Sequence, residues 1–174
     1  MADETCYVLD TTAFIAKLPL YAPIGRAYTT PSVVSEVRDE ESRAGSSIAL
    51  ELGRFEVVQP EARYVHEAER EAVRLGLHVS LSETDISVAA LALQLSDKVG
   101  CKVVVVTDDY ALQNLVAAMG FSYMPVRTRG IRRVEAYVAV CPACGYVSKR
   151  AGERICPRCG SQLRRTRRAS SASL

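Results

Sequence analysis

The chain has 174 residues, 48% of them apolar and 24% charged, a balance that suits a water-soluble protein with one α/β core and a small second module. It opens with two acids rather than the basic segment of a secretion signal, and no stretch reaches the ~18 apolar residues of a membrane helix. A soluble, cytoplasmic protein with no membrane partner is therefore expected. The net charge of +2 conceals a division: residues 1–126 carry ten Lys/Arg against eighteen Asp/Glu, and residues 127–174 carry twelve against two. One part repels a polyanion and the other attracts it, so the acids need a role of their own.

In chain order, Cys6–Leu9 reads as a short buried strand ending at Asp10. Thr30-Pro31 pairs a hydroxyl N-cap with Pro at the first helical position and opens a helix through Val33, Val34 and Val37. Residues 39–46 read as a turn before a short helix near Ile48–Leu52, and Phe55–Val58 as a strand. Pro60 opens a polar helix from Glu61 to Leu75, closed by Gly76. Thr84–Leu95, rich in Ala and Leu, is a helix. Lys102–Val106 is continuous and β-branched, as a buried parallel strand should be, and Tyr110–Met119 is a helix stopped by Gly120. The alternation predicts an α/β fold over residues 1–126, a parallel central sheet with helices on both faces. A basic linker (127–133), a small cysteine module (134–165) and a basic, disordered tail (166–174) complete the expected organisation.

The six cysteines divide into two classes. Cys6 and Cys101 stand alone at the starts of apolar runs and are expected to sit quietly in strands, without a disulfide framework. Cys141/Cys144 and Cys156/Cys159 form CPACG and CPRCG, with eleven residues between the inner cysteines. Two such knuckles close a tetrahedral site of four thiolates with no open position, which makes a zinc ion there structural. A redox C-x-x-C usually comes as a single motif near a βαβ unit.

The acids fall where an α/β sheet gathers function, at the carboxyl ends of strands. Asp10 ends the first strand, and Asp108 and Asp109 follow Lys102–Val106. Asp85 fits a capping box with Ser82. At ~100° per residue it also lies on the face of Ala89, Ala92 and Ser96, opposite Ser87, Gln94 and Asp97. Glu36 flanks the valine stripe of its helix. Two like charges 4 Å apart repel by about 4 kcal/mol at an effective dielectric near 20. Converging four carboxylates therefore calls for hard divalent cations, Mg²⁺ or Mn²⁺, which activate water for attack on a phosphodiester. His66 and His78 lie outside these motifs, leaving no histidine base to replace that chemistry.

VLDTTAFI, PSVVSEV, SETDISVAALAL and VVVTDDYAL, in that order, resemble the four acidic motifs of the PIN-domain ribonucleases. The resemblance implies Asp10, Glu36, Asp85 and Asp109 as metal ligands. It leaves Asp108 as a ligand or supporting acid and Thr11 and Thr107 as supporting hydroxyls. A PIN-like domain joined to a four-cysteine zinc ribbon is similar to the archaeal Nin-one-binding proteins. That likeness implies cleavage of single-stranded precursor RNA at the 3′ end of small-subunit ribosomal RNA, within a pre-ribosomal particle that holds other assembly factors. A toxin-type PIN ribonuclease and a non-catalytic RNA-binding assembly factor are the rival readings.

The expected RNA contacts are Arg127, Arg129, Arg132, Arg133, Lys149, Arg150, Arg154, Arg158, Arg164 and Arg165, with Arg167 and Arg168 beyond them. All but Lys149 are Arg, whose planar fork suits phosphate. Tyr137 and Tyr146 offer stacking surfaces.

Overall fold

Five strands form the main sheet: β1 (Thr5–Leu9), β2 (Arg26–Thr29), β3 (Glu56–Val57), β4 (Lys102–Val106) and β5 (Ser122–Met124). Their order is β3-β2-β1-β4-β5 and every pairing is parallel. This computed structural model describes residues 5–22, 25–131, 133–148 and 153–167. Arg132, Lys149, Arg150 and Arg168, all expected to meet nucleic acid, lie outside the described residues, as does the tail from 168 onward.

From β1 the chain steps outward to β2 and β3, then crosses back to β4 and steps the other way to β5. The direction reverses between β1 and β4, and a crevice opens at the carboxyl ends of strands where this happens. Val105 and Val106 point to opposite faces of the sheet and both are fully buried, so both faces are covered there. Helices α1 (Thr11–Ile15), α2 (Leu18–Tyr21), α3 (Pro31–Glu36), α4 (Glu40–Glu51), α5 (Ala62–Arg74), α6 (Glu83–Lys98) and α7 (Tyr110–Ala118) surround it. Val88–Ala92 and Leu95 of α6 are all buried, and their small side chains let the helix lie close to β1 and β4.

Several expectations need correction. Residues 39–46 are not a turn. Asp39 accepts a hydrogen bond from the Ser42 N–H at 2.7 Å and caps one continuous helix, α4. Its buried residues are Ser42 and Ala49, too small and too polar to show an apolar stripe in sequence. Ser87, grouped by the helical wheel with Gln94 and Asp97, makes an interhelical contact: its hydroxyl is 2.9 Å from that of Thr30 and 2.8 Å from that of Ser32, joining α6 to the start of α3. Cys6 and Cys101 are not separate thiols but a disulfide, with Cα atoms 5.9 Å apart. Register decides this, because Cys6 lies opposite Val103 and Thr5 opposite Lys102, which brings Cys101 alongside β1.

The second module is an antiparallel pair, β6 (Tyr137–Val140) with β7 (Arg164–Arg167), above the two cysteine knuckles. Thr166 and Arg167 therefore belong to the ribbon rather than to the tail. Arg165 stacks on the Tyr137 ring at 3.6 Å, and Arg167 pairs with Glu135 at 3.0 Å. These cross-strand partners give an arginine-rich segment a reason to be a strand.

The expected linker is a pinned strap. The Tyr123 hydroxyl donates to the Ile131 carbonyl at 2.8 Å, Gln113 Oε1 accepts from the Ile131 N–H at 3.0 Å, and Asn114 bonds the Glu135 backbone through both ends of its amide. The ribbon then docks on the loop after α5, where the Tyr137 N–H donates to the Leu75 carbonyl at 2.9 Å.

Candidate active site

Asp10, Glu36, Asp85 and Asp109 arrive at the β1/β4 reversal on four different elements. Asp10 directly follows β1 and caps α1, accepting from the Thr11 N–H at 2.6 Å. Asp109 follows β4 and caps α7, accepting from the Leu112 N–H at 2.8 Å through Oδ1. Asp85 completes the expected capping box, its Oδ2 accepting from the Ser82 N–H at 2.7 Å. Glu36 ends α3, and its Oε2 accepts from the Thr11 hydroxyl at 3.1 Å. Capping thus holds three aspartates in place with one oxygen each. Among the described residues no hydrogen bond reaches Asp85 Oδ1, Asp109 Oδ2 or Glu36 Oε1.

Asp10 lies at the bottom, 5% exposed, while Asp109 and Glu36 form an exposed rim. Burial pushes the Asp10 carboxyl up to about 6, against the opposing hydrogen bonds from Thr107 and Thr11, and the charges of Asp85 and Asp109 add to the rise. Asp85 is raised too, by burial first and then by Asp109 and Glu36, over the opposing bonds from Ser82. Asp10 and Asp85, the two buried or half-buried acids, thus carry the charge of their acidic neighbours in a partly dry crevice. That arrangement costs stability unless a cation enters, and an all-oxygen donor set suits a hard divalent ion.

Thr107 is the hinge of the site. Fully buried, it donates to Asp10 Oδ2 at 2.7 Å and accepts from the Asp109 N–H at 3.0 Å, so one hydroxyl fixes two acids. The sequence pointed to this hydroxyl but not to Gln113, whose buried amide donates to the Thr107 carbonyl at 2.8 Å and also holds the strap. A polar residue inside an apolar helix was the only signal for it.

Asp108 turns away from this group. Its Oδ1 accepts from the N–H groups of Val126 at 2.8 Å, Arg127 at 3.0 Å and Thr128 at 3.1 Å, and from the Thr128 hydroxyl at 3.1 Å. Partial burial works to raise this carboxyl, but those donors outweigh it and hold it below the usual range. Its work is mechanical: it ties the arginine-bearing strap to the strand that delivers Asp109.

Residues 7–95 match the PIN domain of ribonuclease. The chain belongs to the PIN-domain ribonucleases. It is 46% identical to the ribonuclease VapC3 of Aeropyrum pernix, over 71% of this chain and 87% of that protein. It is 35% identical to the endoribonuclease Nob1 of Pyrococcus abyssi, over 90% of this chain and 91% of that protein. A third relative, the 20S-pre-rRNA D-site endonuclease nob1 of Schizosaccharomyces pombe, is 35% identical over 52% of this chain but only 23% of its own length. The VapC3 match leaves more than a quarter of this chain uncovered, whereas the Pyrococcus match is long enough to run into the cysteine module. The protein is accordingly an endoribonuclease of the PIN family carrying a ribbon.

Cys141, Cys144, Cys156 and Cys159 bring their sulfurs within 4.8 Å of one another, the one such group of potential ligands among the described residues. A tetrahedral ion with metal–sulfur bonds of ~2.3 Å holds its sulfurs about 3.8 Å apart, so the four fit a zinc ribbon. Each knuckle is built alike, with Gly145 and Gly160 at positive φ donating back to the carbonyls of Cys141 and Cys156. Arg127, Arg129, Arg133, Arg154, Arg158, Arg164 and Arg165 are all exposed, and Arg158 lies 5.3 Å from the Tyr146 ring. Among the described residues no helix is long and apolar enough to cross a membrane.

Proposed function

We propose that this PIN-domain endoribonuclease cuts single-stranded precursor RNA at the 3′ end of small-subunit ribosomal RNA, within a pre-ribosomal particle. The observation that supports the reading is one buried hydroxyl, Thr107, that ties Asp10 to Asp109, with Glu36 joined to Thr11 beside them, next to an arginine-bearing strap anchored by Asp108. Nob1 relatives that match nearly the full chain, and a relative named for pre-rRNA cleavage, support the substrate. The four carboxylates would hold Mg²⁺ or Mn²⁺, and the four thiolates zinc. A bound divalent ion supplies an activated water and neutralises charge on the leaving oxygen.

The protein's own contribution is placement. Thr107 and Thr11 orient Asp10 and Glu36, and Arg127 and Arg129 stand on the strap to meet phosphates. The buried floor at Asp10 keeps bulk water from screening the charges. Hydrolysis then breaks the P–O3′ bond, with water's oxygen joining phosphorus and its proton passing to O3′, leaving a 3′-hydroxyl.

The test is cleavage of a precursor fragment spanning the mature 3′ end, with Mn²⁺, mapped to the nucleotide. Cutting at that end by wild type and none by Asp10→Asn is expected. The similarity to VapC3 gives the rival outcome, indifference to the precursor and cleavage of another RNA. A wild-type chain that cuts no RNA, or an Asp10→Asn chain that cuts at the wild-type rate, overturns the proposal.

A further inference from the structure

A cleft of 750 Å³ opens between α7 and the ribbon, outside the four acids but beginning one residue from them. Its floor starts at Tyr110, which directly follows Asp109, so about 3.8 Å of backbone separates their Cα atoms. Tyr110 is 54% exposed. The same cleft is lined by three arginines, Arg133 from the strap and Arg165 and Arg167 from β7, against a single acid, Glu135. Glu135 pairs with Arg133 at 3.6 Å and with Arg167 at 3.0 Å, and accepts from the Tyr137 hydroxyl at 2.8 Å.

The walls are fixed rather than induced. Arg165 is stacked on Tyr137 and hydrogen-bonded to Ser80, and Gln113 and Asn114 pin the strap to α7. An exposed aromatic residue sharing a cleft with excess guanidinium, in a volume within the ~300–1,000 Å³ of small-ligand sites, suits a base and its phosphate together.

We propose that this cleft seats the unpaired nucleotide flanking the scissile phosphate, its base stacked on Tyr110 and its phosphate met by Arg133 and Arg167. This rests on the RNA-cleaving reading above and names where the substrate strand runs. Glu135 holds both arginines in ion pairs, and the incoming phosphate takes over their hydrogen bonds. A base held in a helix cannot offer its face to Tyr110, so the cleft selects single-stranded RNA at the cut. The ribbon thereby becomes one wall of the substrate site rather than a remote tether.

The test uses the full chain. Single-turnover cleavage is measured for wild type, Tyr110→Ala and Tyr110→Phe on one single-stranded RNA, and on the same RNA with an abasic nucleotide at each position around the cut. Base–aromatic stacking removed by Ala should weaken half-saturation about tenfold, with the rate at saturation within about threefold. Tyr110→Phe should remain near wild type. One abasic position next to the cut should cost wild type about tenfold and cost Tyr110→Ala nothing further, a non-additivity that a folding defect does not produce. Equal half-saturation for wild type and Tyr110→Ala, or additive losses at every abasic position, overturns the proposal while leaving the nuclease intact. A wild-type chain that neither binds nor cuts RNA removes the parent reading and this one together.

Discussion

Asp10 shows how one residue can serve the fold while standing at the proposed site. Its Oδ1 starts α1, its Oδ2 takes the Thr107 hydroxyl, and its burial raises its carboxyl to about 6. The folded protein therefore holds this proton more tightly than the unfolded chain, where the pKa is 3.8. The stabilisation from the bound proton is complete below 3.8 and is lost as pH rises through 6. A shift of that size corresponds to about 3 kcal/mol. With Mg²⁺ and Mn²⁺ withheld, Asp10→Asn should approach wild-type stability at about pH 4 and gain on it by up to ~3 kcal/mol by about pH 7.5. Added Mn²⁺ should reverse that order, because it stabilises wild type by mass action. Denaturation midpoints of both proteins at the two pH values check this, and a difference that does not change with pH would remove Asp10 from the buried acidic group.

At the scale of elements, the junction between α5 and the ribbon depends on Gly76. Its φ of +67° is in the left-handed region, and an added Cβ would lie 2.5 Å from the Tyr137 carbonyl oxygen. Gly76 thus closes α5 and admits β6 at the same point. Gly76→Ala should cost ~1–2 kcal/mol for the backbone conformation alone, and the contact with backbone leaves the ribbon no choice but to shift. The main sheet should keep its circular dichroism while the strap around 127–136 becomes open to limited proteolysis. Wild-type protection in this variant would show that the ribbon is held elsewhere. The strap makes a related point: Asp108, Gln113 and Asn114 each use a side chain to satisfy backbone groups of a segment that belongs to no sheet.

For the whole molecule, two modules of different construction meet at one cleft. The α/β module buries a continuous core and is cross-linked by Cys6–Cys101 across 95 residues. The ribbon has two fully covered side chains among its cysteines, Cys141 and Cys156, and with zinc on its four thiolates, as proposed above, it would draw its folding energy from metal binding. Removing zinc with a strong chelator should therefore unfold the ribbon and release the strap, yet leave the main sheet folded. RNA affinity should fall, since Arg165 and Arg167 lose their strand. Thermal melts followed by circular dichroism, with and without chelator, check this. Loss of all secondary structure in one step on chelation would mean that the modules form a single cooperative unit.

Local spacing alone determined much of this protein. C-x-x-C-G twice dictates two knuckles, because the turn and its sulfurs lie within five residues. Ser82-x-x-Asp85, Thr30-Pro31 and the valine run at 103–106 dictate a capping box, a helix start and a buried strand in the same way. The acids proposed for the site stand out in sequence because each sits at the end of such an element. Strand order was not, since β2 and β5 are short and the site exists only because the chain reverses between β1 and β4. Nor were the Cys6–Cys101 bond, the attachment of Asp108 to the strap or the cleft at Tyr110. Each joins residues separated by 18 or more positions, or by a whole module. Such pairings are set by register and packing across the sheet, and no local pattern of residue types encodes which distant backbone a side chain will meet.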